Sequence, residues 1–430
     1  MSLVSILQAD QFNPEKDTSQ GPNQKIQALV GKIIDAVIKG GDQAVLEFAK
    51  RFDDLEQSTL KVSPEQIQQA QQALDPDTLR ILQAAIENIK AFHQNQVQKS
   101  WKTHSEDGTY LGEKVTPLDR VGVYVPGGKA FYPSSMIMNA VPAVLAGVPE
   151  VVVASPPGAD GLPHPLVLGL CGVLGITEVY TMGGAQAVAA LAYGTESIRS
   201  VAKITGPGNQ WVAEAKRQVF GQVGIDSIAG PSEILILHDD PSIPTEFLVR
   251  DMLSQAEHDV EAESILITTS MDTAKAVQAR LDEIVPGLPR TEIITESLKN
   301  HGKIVVVDRI ETGIAFSNQV APEHLEVLVP EDREEKILAL IQNAGAIFIG
   351  PWSSEPVGDY YAGPNHTIPT GGAARYAAPL SVRDFQKHSS LIRYSKTRLL
   401  EEGADIAKFA DMEELNAHAT AIRVRLGSIE

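Results

Sequence analysis

Val121-Gly122-Val123-Tyr124-Val125-Pro126-Gly127-Gly128 is a β-branched run that stops at a proline and two glycines. A continuous apolar run bounded by turn residues reads as a strand covered on both faces. Eight more such runs follow, at residues 151–154, 178–181, 201–204, 234–237, 265–268, 304–307, 325–329 and 346–349. Helical segments separate them, which is the pattern of βαβ units, so the class is α/β. The runs form two groups, residues 121–205 and 234–349, each long enough for a small doubly wound sheet. We therefore expect two Rossmann-like units, the second completed by the N-terminal helices.

Upstream, Ile26, Val30, Ile33, Ile34 and Val37 share one helical face, and Gly40-Gly41 ends that helix. Ser63-Pro64-Glu65-Gln66 carries an N-cap, a proline at the first helical position and a capping-box glutamine, and Asp75-Pro76 restarts the helix toward about residue 97. The first hundred residues are expected to be mainly helical. Downstream, residues 350–372 are rich in glycine and proline with neither period, the mark of a functional loop. The last fifty residues return to helix, with Leu415, Ala419, Ile422 and Leu426 as an apolar stripe that packs on a neighbouring subunit.

The chain of 430 residues suits two to three domains at roughly 150 residues each. Its 36 basic and 55 acidic residues leave a net charge of −19, a field that repels nucleic acid and anionic membranes. No apolar run approaches the roughly 20 residues of a membrane span, and the start Met1-Ser2-Leu3-Val4-Ser5 lacks the regions of a signal peptide, so a cytoplasmic protein is expected. The one cysteine, Cys171, sits in an apolar run, which rules out a disulfide, a thiolate cluster or a CxxC pair within one chain.

Chemistry therefore falls to His, carboxylate and amide groups. The helix beginning near Pro244 ends in Gln255, with His258 three residues beyond; this is either a capped helix end or half of a metal site. Pro322 stops the preceding helix, and Glu323-His324 stand at a strand entrance where each can serve a separate proton transfer, unless they belong to a solvated loop. Asp359 and His366 lie in the glycine-rich loop, where Asp359 is alternatively a turn former. His418 falls on the apolar face of the last helix, where a packing role is the commoner one. Together Gln255, His258, Asp359 and His418 make an N/O ligand set suited to zinc. Thr205-Gly-Pro-Gly-Asn209, Val125-Pro-Gly-Gly128 and Met182-Gly-Gly-Ala-Gln186 end strands at one edge of the first sheet, where backbone N–H groups can face an anion. None is the G-x-G-x-x-G fingerprint, and each is alternatively a tight βα turn.

These residues lie in segments that resemble the histidinol dehydrogenase family. The resemblance rests on Val121-Gly-Val-Tyr-Val-Pro-Gly-Gly, Gly183-Gly-Ala-Gln-Ala, Gly206-Pro-Gly-Asn, Ala229-Gly-Pro-Ser-Glu, Ser254-Gln-Ala-Glu-His, Ala321-Pro-Glu-His-Leu-Glu, Gly363-Pro-Asn-His-Thr-Ile-Pro-Thr and Asp384-Phe-Gln-Lys, and runs to the C-terminus. It implies oxidation of L-histidinol to L-histidine through histidinaldehyde with two NAD+, the last step of histidine biosynthesis. It implies one zinc per subunit on Gln255, His258, Asp359 and His418, the last from the other subunit of a homodimer. Glu323 and His324 become the acid/base pair, and Tyr124, Gln186 and Asn209 line the NAD site. Ser232 and Glu413, which adjoins Glu414, join the zinc ligands and His324 around the substrate.

The expected arrangement is aldehyde-dehydrogenase-like with incomplete Rossmann units. It comprises an N-terminal arm at 1–22, an α/β domain of 23–119 with 233–378, an NAD-binding domain at 120–232, and a C-terminal helical tail at 379–430. Cys171 is too buried and isolated to be a nucleophile, so the aldehyde is attacked by water. A zinc-dependent hydrolase and a non-catalytic binding protein are the competing readings. The first has no H-E-x-x-H helix, and the second has no need of both Glu323 and His324.

Overall fold

The computed structural model describes residues 2–14, 23–53, 59–127, 132–158, 160–228 and 230–427. Gly128 and Ala229 of the motifs, and residues 15–22 of the expected arm, lie outside them. All nine apolar runs form strands of two parallel sheets. The first sheet has the order Glu178–Thr181, Glu150–Ser155, Arg120–Tyr124, Lys203–Thr205, Gly224–Ile225. In chain order this is third, second, first, fourth, fifth, the doubly wound arrangement. The second sheet repeats that order in Lys303–Val306, Glu263–Thr268, Glu233–His238, His324–Leu328 and Ala346–Ile349, with Ser5–Gln8 added beside Lys303–Val306.

The strand period of two sorts each sheet into two buried faces. In the first sheet Val123, Val125 and Val153 pack with Met136 and Leu170 on one side, while Tyr124, Val152 and Ala154 pack with Val188 and Leu191 on the other. In the second, Ile234, Ile236, Leu266 and Ile304 face Leu248 and Met252, and Leu235, Leu237 and Ile267 face Ile310 and Ile314. Arg120, 4% exposed, opens the central strand of the first sheet and pairs with Glu150, which opens the adjacent strand, and with Glu178, which opens the strand beyond that. That amino edge is therefore closed by ion pairs. The opposite, carboxyl edge carries the three glycine-rich turns.

Several expectations are corrected. The helices Gln24–Asp53 and Pro64–Gln72 pack on helices of the first sheet, Gly184–Tyr193 and Pro165–Val173, and do not complete the second. Their apolar stripe of Val30, Ile34 and Val37 joins the core that holds Val152 and Tyr180. The second sheet needs no such help, because the helices at 245–320 already cover it. Gly40-Gly41 does not end its helix but breaks it: Gly41 adopts φ 52°, and Asp42 N–H donates to Glu196 at 2.8 Å before the helix resumes. The described part of the expected arm includes an edge strand, because Ser5–Gln8 pairs in parallel with Lys303–Val306.

Residues 97–117 and 386–430 form a separate compact unit. Trp101–His104, Tyr110–Pro117 and Gln386–Arg393 make an antiparallel sheet, so the last fifty residues are not wholly helical. These strands escaped detection because Trp101–His104 is exposed throughout and Gln-Lys-His-Ser-Ser-Leu-Ile-Arg has no apolar alternation. Helices Lys396–Met412 and Asn416–Arg425 follow, packed on each other where Leu426 meets Gly403. No helix among the described residues is long and apolar enough to cross a membrane.

Candidate active site

The chain leaves helix Ile310–Val320 through Ala321, whose left-handed φ of 52° reverses direction, and Pro322 prevents re-entry. Glu323 and His324 are thereby delivered to the amino end of His324–Leu328, beside Glu233 at the amino end of the central strand. Helix Thr245–Ala256 runs back from that central strand, so Gln255, in its last turn, lies at the same edge. The catalytic candidates of the second sheet thus collect at its amino edge, opposite to the usual carboxyl-edge rule for open α/β sheets.

Glu233 organises the pair through its backbone. Its N–H donates to Glu323 Oε2 at 2.9 Å, and His324 Nδ1 is 3.0 Å from its carbonyl oxygen. A carbonyl only accepts, so His324 must carry its proton on Nδ1 and present Nε2 as a lone pair. That Nε2 is buried without a hydrogen-bond partner and lies 3.9 Å from Asp359. Burial holds the His324 imidazole down at about 4, with the neighbouring His258 and His366 acting in the same direction. Burial also raises Glu323 well above the usual carboxylate range, and the nearby Glu233, Asp359 and Glu355 add to this against the Glu233 N–H. The result is a neutral imidazole beside a carboxyl group with increased proton affinity.

The segment at 350–372 is not structureless. Ser354 precedes a short helix, Glu355–Tyr360, which places Glu355 and Asp359 one turn apart on one face. Ligand atoms of His258, Glu355 and Asp359 lie within 4.8 Å of one another. Both amide atoms of Gln255 are buried and unpartnered. Two carboxylates, an imidazole and an unsatisfied amide are a donor set for a divalent ion of zinc type. Burial raises the proton affinity of both Glu355 and Asp359, and the Asp359 carboxylate beside Glu355 adds to the effect there. Ser232 is half-buried immediately before Glu233.

At the carboxyl edge of the first sheet, Tyr124 is 3% exposed and its hydroxyl accepts the Gly184 N–H at 3.1 Å, with Gln186 packed against the same glycine. Gly206 lies against the Tyr124 backbone at φ 118°. Both of its backbone groups are held by a buried ion pair: the N–H donates to Asp226 at 2.8 Å, and the carbonyl accepts from Lys216 at 3.0 Å. Asn209 is exposed and caps helix Gln210–Val219 through its Oδ1. Tyr124, Gln186 and the 206–209 turn therefore occupy one neighbourhood.

The family model described as histidinol dehydrogenase matches residues 16–426. The chain is 50% identical over 425 residues to a histidinol dehydrogenase of Bacillus licheniformis, and 48% identical over 425 residues to one of Bacillus subtilis strain 168, each match covering 99% of both chains. A crystal structure of histidinol dehydrogenase from Elizabethkingia anophelis, 32% identical, superposes with a TM-score of 0.92 and covers 100% of this chain and 99% of that one. The chain belongs to the histidinol dehydrogenase family.

Of the residues expected from the histidinol dehydrogenase resemblance, Glu323, His324, His258 and Asp359 come together, with Gln255 at the same sheet edge. Glu413 and His418 belong to the separate C-terminal unit. Within it Glu413 caps helix Lys396–Met412 and is exposed, and Glu414 turns the corner at φ 59°. His418 is exposed within its own chain, and of the apolar stripe beside it only Ala419 is buried there. Two residues went unnoticed in the sequence. Glu355 was hidden by treating its segment as loop, although Ser354-Glu355-Pro356 is a helix start with Asp359 four residues beyond Glu355. Glu233 acts through backbone atoms, which no side-chain pattern reveals.

Proposed function

We infer that the protein oxidises L-histidinol to L-histidine in two steps, by way of histidinaldehyde, with two NAD+. The supporting observation is the double hold of Glu233 on Glu323 and His324, which sets one imidazole lone pair beside a carboxyl group of raised proton affinity. His324 Nε2 takes the alcohol proton as the first hydride departs. Glu323 then removes a proton from water as it adds to the aldehyde, and the second hydride departs from the hydrated carbon. Cys171 is fully buried and its thiol is pushed up by burial, so a thiol route is closed.

Gln255, His258 and Asp359 are proposed to hold one zinc per subunit, with His418 from the second subunit of a homodimer and Glu355 beside them. When bound, zinc anchors the substrate imidazole and amine and polarises the reacting oxygen. The unsatisfied Gln255 amide and the exposed His418 support this division. Ser232 and Glu413 complete the substrate contacts. Residues 120–232 are proposed as the NAD-binding domain, with Tyr124, Gln186 and Asn209 at the cofactor. The test is NADH absorbance on adding histidinol and NAD+ to zinc-loaded protein, with and without chelator. Two NADH per histidinol, abolished by chelator, are expected; zinc-loaded protein that forms no NADH overturns the reading.

Gly206 adds a sharper check on the cofactor side. A Cβ there would collide with the Tyr124 carbonyl on a backbone conformation that favours glycine. Gly206→Ala is expected to raise the KM for NAD+ by about 5- to 100-fold, the equivalent of roughly 1–3 kcal/mol of strain. The KM for histidinol is expected to change far less. An unchanged KM for NAD+ would separate the turn from the cofactor.

A further inference from the structure

Three elements deliver groups to the amino edge of the second sheet, and all three are tied together at one buried side chain, Glu326. It lies two residues beyond His324 in strand His324–Leu328, on the same face, and is 1% exposed. Its Oε1 accepts the Glu355 N–H at 2.9 Å, at the start of helix Glu355–Tyr360. Its Oε2 is buried and meets no N–H or hydroxyl donor. The neighbouring acid is Asp251 of helix Thr245–Ala256, and the two carboxyl groups hydrogen-bond through a shared proton. A further tie joins the two helices, because the Ser254 hydroxyl donates to Glu355 Oε2 at 3.0 Å. Asp251 stands four residues before Gln255, and Glu355 four before Asp359. Each hold on Glu326 therefore falls about one helical turn from a proposed zinc ligand.

The tie to helix Glu355–Tyr360 matters most, because six residues make fewer than two turns and cannot hold a helix by themselves. Ser354 at its N-cap makes no side-chain hydrogen bond, and Pro356 has no N–H to offer. The hold on its first turn is the Glu355 N–H to Glu326. We propose that Glu326 is a positioning residue for the metal site, acting through the Glu355 N–H and Asp251 rather than as a ligand. It clamps the helices that carry Gln255 and Asp359 to the strand that carries His324. The inference rests on the reading of this edge as the zinc site, and adds to it the residue that fixes the spacing of its ligands. Ligands held one turn from a buried anchor need little rearrangement when the ion binds, which is what a group behind the ligands contributes to affinity.

The test measures the zinc affinity of the full chain by competition with a chromogenic chelator, alongside the KM for NAD+ of the zinc-loaded protein. Glu326→Leu removes the acceptor at similar size. Glu326→Gln keeps it, with an amide oxygen for the Glu355 N–H and an NH2 group for Asp251. Asp251→Ala cuts the second tie at a half-buried position. Glu326→Leu is expected to weaken zinc binding by about 10- to 100-fold, the usual effect of losing a group that orients metal ligands, and Asp251→Ala to weaken it less. Glu326→Gln is expected to bind zinc like the unsubstituted chain, and the KM for NAD+ to stay unchanged in all three, because the first sheet is untouched. Unchanged zinc affinity in Glu326→Leu, a loss in Glu326→Gln as large as in Glu326→Leu, or a parallel rise in the KM for NAD+ overturns the proposal. If Glu326→Leu does not fold, unchanged zinc affinity in Asp251→Ala, or a loss in Glu326→Gln as large as in Asp251→Ala, overturns it instead. An unsubstituted chain that binds no zinc would sink the reading of this edge as a metal site, and the positioning role with it.

Discussion

His324→Ala is expected to lower kcat for histidinol by about a hundred- to ten-thousand-fold, the usual worth of a positioned general base, with oxidation of supplied histidinaldehyde less affected. Glu323→Gln is expected to do the reverse, sparing the first hydride transfer and stalling the aldehyde. The asymmetry follows from geometry. His324 offers a neutral Nε2 with no partner, suited to an alcohol proton, whereas Glu323 sits in surroundings that raise its proton affinity, suited to activating water. Glutamine at 323 can still accept the Glu233 N–H through its amide oxygen, so His324 should keep its orientation. The measurement is single-turnover NADH formation from each substrate. Equal losses in both steps for both variants would refute the division of labour.

Mixing His258→Ala chains with His418→Ala chains should restore activity that neither has alone. If His418 completes the second subunit's site, each mixed dimer has one site with both lesions and one intact. Random exchange at equal concentrations makes half the dimers mixed, so about one quarter of unsubstituted activity is expected. The exposure of His418 within its own unit, on a helix that buries only Ala419, is what a residue destined for another chain would show. No recovery despite demonstrated chain exchange would assign His418 to its own subunit's site.

Much of this architecture was legible along the chain. Nine apolar runs became nine strands, Ser63 and Gln66 formed the capping box, and the lone cysteine is inert in a buried helix. These features depend on local rules, the strand period, cap chemistry and transfer of apolar side chains from water, which operate within a few residues. Strands whose side chains stay in water, such as Trp101–His104, left no such trace.

The site was legible as a set of residues but not as a place. From sequence alone came an α/β chain without thiol chemistry, carrying His and carboxylate groups at strand entrances and helix ends. Only the tertiary structure decided that these groups meet at the amino edge of the second sheet, that Glu355 stands among them, and that Glu233 fixes the His324 tautomer through its carbonyl. The physical reason is that convergence is set by how sheets and crossovers pack over hundreds of residues. A backbone N–H or C=O has the same chemistry at nearly every position, so its role appears only when a partner is brought within about 3 Å of it.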